Sequence, residues 1–274
     1  LQTVDPDPSS SPSSAHSVSP NWIAPEPIAP VWHTCVLLAG VLLLSFAGAK
    51  QFAGDHAPHI NRLQTYAFTA ATEVLMLGWV YLGLRLRKVP FRSIFGNVSG
   101  GARSLGIDVG SAAVFWFGSL ILLGSINAIW TVSDAAIHHR ALFPNGKPDA
   151  AQEHTLRTLT LLAPGTGSEI AAWILLCVMA GLTEEIVFRG YLQRQFTALG
   201  WGRVAVGVIV SALLFGCAHG YQGVHYMVLL SIFGALFSLL TIFRRNIRAG
   251  IFAHAWQDIF AGLAITLLHS LHRI

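Results

Sequence analysis

Seven long apolar runs divide most of this chain, and they limit what it can fold into. They cover residues 31–49, 65–84, 109–130, 169–195, 204–219, 224–243 and 247–268. About 20 residues make a helix of about 30 Å, the thickness of a bilayer's hydrocarbon. Within that layer a backbone must satisfy its own hydrogen bonds, which a helix does. The runs predict an all-α, polytopic transmembrane helical bundle of about seven helices. Composition agrees: 53% of the residues are hydrophobic and 11% charged, against about 25% charged in soluble domains. A net charge of +4 and a pI near 9.2 do not point to nucleic acid, because the basic residues sit in short links between apolar runs. The expected surroundings are a lipid bilayer. Cys35, Cys177 and Cys217 all lie inside apolar runs, with no C-x-x-C spacing, so they read as small packing residues.

Residues 1–30 are of another kind. They are rich in Pro and Ser and contain no Lys or Arg. Such a segment cannot bury enough apolar surface to order itself, and it lacks the basic start of a secretory signal. The expected organisation is a disordered tail over 1–30 and a transmembrane helical domain over 31–274. Three links, 85–108, 189–203 and 244–249, hold five, three and three basic residues, eleven of the seventeen Lys and Arg. All three fall on one side if the helices alternate. The positive-inside rule makes that side cytoplasmic, with the N-terminus there too, in a cell inner membrane. Residues 131–168 read as a long polar connection, with turn signals at Pro144-Asn145-Gly146 and Pro164-Gly165. The fourth helix is expected to begin at Ser168 as N-cap, with Glu169 in its first turn, and to emerge amphipathic at Arg194.

Three polar groups interrupt the last four apolar segments. The first is Glu184-Glu185, followed by Arg189. Ionisable groups at membrane depth cost about 2.5–3.5 kcal/mol each and rarely persist without a partner or a task. Glu185 and Arg189 lie about 40° apart around a helix and can pair, whereas Glu184 points about 100° away from Glu185. The second group is Phe215 with His219, one turn later. The third is His254 with Asp258, on one helix face. Two imidazoles and one or two carboxylates on three helices suit a hydrolytic centre. A carboxylate takes a proton from water, and imidazoles hold a metal or the developing oxyanion. Each group also has a plainer reading: a structural ion pair, an interfacial histidine, a hydrogen-bonded pair joining helices.

In order, these motifs read E-E-x-x-x-R, F-x-x-x-H and H-x-x-x-D, and they resemble the signature of the CPBP family of intramembrane proteases. That family includes the type II CAAX prenyl endopeptidases and the bacteriocin-processing and abortive-infection proteins. The resemblance covers residues 169–268 and includes the phrase Phe188-Arg189-Gly190. It implies an intramembrane endopeptidase cleaving a membrane-associated or lipidated peptide or protein substrate, with Glu184, His219 and His254 catalytic. Glu184 would activate water. His219 would bind that water or a metal, and His254 would do likewise or stabilise the oxyanion. Glu185 and Arg189 would hold the helix, with Phe215 and Asp258 in support. Glu184, His219, His254 and Asp258 could hold a divalent metal such as zinc, the expected cofactor, or act without one, since the chain has no H-E-x-x-H. Asp258 stands where prenyl-processing members carry Asn. An ionised Asp cannot donate to an oxyanion, so it fits a metal-binding or histidine-orienting role better.

Counting residues along the helices sets a condition. Glu184 and His254 fall in the cytoplasmic half, while His219 ends a helix nearing the other face. To meet, the fifth helix must be tilted or set deep, or the fourth must run well past Arg189. Of the other polar residues, Glu73 reads as a packing or cavity residue. His56, His59, His138, His139 and His154 read as solvated loop residues. His225 is the one most easily mistaken for a ligand. Two further functions compete: a non-catalytic scaffold or immunity factor binding peptides in the same cavity, and a small transporter using Glu73, Glu184 and His219 as a proton path. The second lacks the repeat such transporters carry.

Overall fold

The computed structural model describes residues 26–52, 60–139 and 150–271. Among them the chain forms eight α-helices: α1 Val31–Phe52, α2 Arg62–Leu86, α3 Gly101–Ile137, α4 Ala150–Leu162, α5 Gly167–Leu199, α6 Val204–Ala218, α7 Val224–Arg244 and α8 Arg248–Ser270. Six are long and apolar enough to cross a membrane, and α6 is apolar but only 15 residues long. These seven are the helices the apolar runs predict. Large apolar side chains such as Leu75, Val114 and Phe243 are more than 70% exposed, as the outer face of a helix in lipid requires. This is the architecture of a multi-pass membrane protein.

The eighth helix, α4, lies in the stretch read as a polar connection. Leu156, Leu159 and Leu162 recur at helical spacing there, but 13 residues are too few to span a bilayer. It runs across one end of the bundle. Thr155 donates to the Gln222 carbonyl at 2.8 Å, and His154, expected to be solvated, meets the Phe52 carbonyl at 3.2 Å. At its far end Tyr66 and Arg62 of α2 donate to the Leu162 and Leu161 carbonyls. The α5 N-cap is Thr166, two residues before the expected Ser168. Thr166 and Glu169 cap each other reciprocally, which satisfies two free N–H groups at once.

The centre of the bundle is the second half of α5. Its hydrogen bonding widens to a π-helix over Glu185–Leu192, and every residue of that segment is buried. Ile186, Val187, Tyr191 and Leu192 pack there with Leu37, Val80, Leu84, Ile94 and Ile247. The amphipathic exit expected at Arg194 does not occur. Arg194 and Gln195 are buried; Arg194 donates to the Ser93 carbonyl at 2.8 Å. Gln195 accepts from the N–H groups of Ile28 and Ala29 and donates to the Ala29 carbonyl at 2.8 Å. Ordered chain therefore begins by residue 26, inside the stretch read as a tail to residue 30. Residues 1–25 lie outside the described residues, as do His56, His59 and the turn signal at 144–146.

The three basic links meet at one end of the bundle. Gly96 pairs with Asn246, and the Ile247 N–H donates to the Phe95 carbonyl. Beneath them the buried Asp108 accepts from Arg244 at 2.7 Å, and Arg248 lies 2.5 Å from its other oxygen. Gly190 faces this junction, where a Cβ would collide with Ile94. Gly190→Ala is therefore expected to destabilise the fold by about 1–3 kcal/mol. Combining it with Ile94→Ala should recover part of the loss in thermal unfolding of the detergent-solubilised protein.

Candidate active site

Every residue of the three motifs converges at the point where α5 turns from α to π geometry. Glu184 is the last residue before the π segment. One of its oxygens, Oε2, lies 4.0 Å from His219 Nε2 and 3.7 Å from His254 Nε2. Asp258 Oδ2 is 3.7 Å from the same His254 nitrogen. These gaps are too long for direct hydrogen bonds, yet a water molecule beside Glu184 Oε2 could reach the imidazoles.

The depth condition is met from both directions. The helix carrying Glu184 continues ten residues past Arg189, to Leu199. The short α6 ends in the interior, and α1 fastens its turn: Ser45 Oγ donates to the Cys217 carbonyl at 2.6 Å and accepts from the Gly220 N–H at 3.0 Å. Irregular backbone at this depth needs internal partners of this kind.

Behind the site, Glu185 and Arg189 are fully buried and pair at 2.8 Å. Arg189 also donates to the Gly234 carbonyl of α7 at 3.2 Å. Its guanidinium stacks 4.4 Å from the Phe215 ring and 4.8 Å from that of Phe237. Glu185 in turn accepts from His254 Nδ1 at 3.2 Å. Gly250 permits this approach, because a Cβ there would lie 2.5 Å from Glu185 Oε2. Phe215 walls both imidazoles, with ring centroids 4.8 Å from His219 and 5.8 Å from His254.

The hydrogen bonds fix what the imidazoles present. A carbonyl oxygen only accepts, so His219 donates from Nδ1 to the Phe215 carbonyl at 2.8 Å. His254 likewise donates from Nδ1 to the carboxylate paired with Arg189. In their neutral forms both rings therefore aim a bare Nε2 at Glu184, whose Oε2 is buried without a hydrogen-bond partner. Acceptors alone converge here, and such a centre calls for a proton, a water or a cation. Nε2 ligands whose Nδ1 is tied to oxygen also suit a metal. Among the described residues, however, no three His, Cys, Asp or Glu side chains enclose a metal site as they stand.

The site forms one end of an apolar cavity of about 670 Å³. Tyr66, Leu123, Trp173, Leu176 and Ile265 are among its walls, and Glu73 of α2 lines it beside the motif residues. The only signal for Glu73 in the sequence was a lone acid in an apolar run. His225 stands apart, bonded to Asn127 at 2.7 Å. Arg189→Met leaves Glu185 buried without its cation. We expect a loss of about 3–5 kcal/mol, read as a lowered unfolding midpoint, and partial recovery in the double variant with Glu185→Gln.

Known proteins offer one comparison. The family model described as "Rce1-like: Type II CAAX prenyl endopeptidase Rce1-like" matches residues 166–260. No curated protein and no solved structure matches the chain. The matched segment starts at the α5 capping box and contains all three motifs. The match takes in 95 of the chain's 274 residues, and over that segment the chain is similar to the Rce1-like type II CAAX prenyl endopeptidases.

Proposed function

We propose that this protein hydrolyses a peptide bond of a membrane-associated substrate, with Glu184 activating water beside His219 and His254. One observation carries the reading: an unpartnered carboxylate oxygen lies within 4.0 Å of two imidazole nitrogens, at the end of an apolar cavity. Glu184 accepts a proton as the water oxygen attacks the carbonyl carbon. The C–N bond then breaks, and the same proton passes to the leaving nitrogen. A protonated His219 or His254 donates from Nε2 to the oxyanion. His254 stays in register because Glu185 holds its Nδ1. Asp258, an acceptor only, does not serve as an oxyanion donor; its carboxylate stands 3.7 Å from His254 Nε2 at the edge of the site.

The same donors would hold a divalent ion such as zinc: Nε2 of His219, Nε2 of His254 and the Glu184 carboxylate, with Asp258 beside them. Once bound, the ion would supply Lewis-acid activation of the water. We read the end bearing the basic links as cytoplasmic, in an inner membrane. The N-terminal segment tied to Gln195 lies at that end as well.

Glu184→Gln keeps the shape and removes the base. It is expected to lower cleavage of a membrane-peptide reporter at least about 10²-fold with the unfolding midpoint little changed. Undiminished cleavage would exclude this role for Glu184; a cellular phenotype that survives Glu184→Gln but is lost on blocking the cavity would favour the peptide-binding scaffold. Cleavage that a chelator abolishes and zinc restores assigns the oxyanion to a metal ion; cleavage that survives a chelator assigns it to a protonated imidazole. His219→Ala should lower the zinc-to-protein ratio retained after dialysis.

A further inference from the structure

The cavity holds one more carboxyl group than the motifs account for. Glu73 is 3% exposed, and its Oε2 is buried with no hydrogen-bond partner. It lines the cavity that holds Glu184, His254 and Asp258, and it lies within electrostatic reach of all three. It stands on α2, outside the segment the family model matches.

Helix register sets its depth. The starts of α2 and α5 are side by side, with Arg62 3.6 Å from Glu169. Counted from that pair, Glu73 is about 16 Å along α2 and Glu184 about 22 Å along α5. Glu73 is thus about one turn nearer that end of the bundle. The other end of α8 is also there, since Thr266 donates to the Pro164 carbonyl at 2.6 Å. Asp258 is therefore one turn nearer the same end than His254. Two carboxylates from different helices stand at similar depth, just outside the groups that face the water. Glu185 has Arg189, but among the described residues lining the cavity none is Lys or Arg.

We infer that Glu73 and Asp258 form a cation-binding subsite, and that the substrate carries a Lys or Arg side chain close to the bond that is cut. This deepens the peptidase reading and rests on it. A buried, unpartnered carboxylate gains most from a charged donor, and the apolar walls strengthen that attraction. The same pair repels a carboxylate, so a peptide's free C-terminal anion is disfavoured at this position. A free α-amine shares the Lys chemistry and is the other source to separate.

The test uses the full chain in nanodiscs and apolar peptides acetylated and amidated at their ends. One residue, Lys, norleucine or Glu, is scanned across positions on both sides of the cleaved bond. At one position Lys is expected to raise kcat/KM about tenfold over norleucine, and Glu to lower it. In Glu73→Gln the Lys advantage should shrink to about twofold or less, through KM rather than kcat. Fluorescence anisotropy on Glu184→Gln protein ranks the same peptides without hydrolysis. A Lys preference in binding with no cleavage by the wild type would therefore sink the peptidase reading and support the subsite. Equal binding and cleavage of Lys and norleucine peptides by the unmutated protein overturns the inference without any variant. A norleucine peptide with a free N-terminus that matches the acetylated Lys peptide overturns the side-chain assignment.

Discussion

The buried pair of Glu185 and Arg189 organises this molecule. Neither side chain is exposed, and together they touch four helices: α5 itself, α7 through the Gly234 carbonyl, α8 through His254, and α6 through the Phe215 ring. A buried ion pair is weak evidence for stability, since desolvation consumes much of its attraction. Its worth here is geometric. Helices in lipid gain little from apolar contact with one another, so polar and small-residue contacts decide how they dock. Gly250 and Gly234 stand where those contacts form. Gly207 and Gly216 let α6 approach the end of α5 and α7 equally closely.

The same pair sets the electrostatics of the site. Arg189 neutralises Glu185, and Glu185 fixes one nitrogen of His254. That leaves Glu184 as the carboxylate facing both Nε2 atoms. Adjacent glutamates thus divide into a structural member and a chemical member, because a helix turns them about 100° apart. Three aromatic rings, Phe188, Phe215 and Phe237, stand around the guanidinium.

Much of this was legible in the sequence. The helices followed from run length, and the pairing of Glu185 with Arg189 followed from their i,i+4 spacing. The convergence of three motifs on one point followed from the resemblance. What was hidden has physical reasons. α4 is amphipathic and polar, so hydropathy passed over it although its leucines repeat at helical spacing. The capping residue was misplaced by two positions because Thr166 and Ser168 are both good caps, and only the Glu169 side chain chooses between them. Glu73 has no spaced partner on its own helix; its neighbours come from α5 and α8. The buried state of Arg194 and Gln195 depends on chain contributed by residues 28, 29 and 93, which no local pattern reveals.

The widened segment of α5 also has a bearing on how this chain can vary. A π-helix closes each ring one residue later than an α-helix does, so Glu185–Leu192 takes up more chain than plain α geometry would. Losing a single residue there could relax the backbone to the commoner form. It would also swing the following turns by about 100°, unseating Gln195 from its two amide clients and Arg194 from the loop it braces. Length between Glu184 and Gln195 is therefore as much a requirement as residue identity, and substitutions should be far better accepted in this interval than indels.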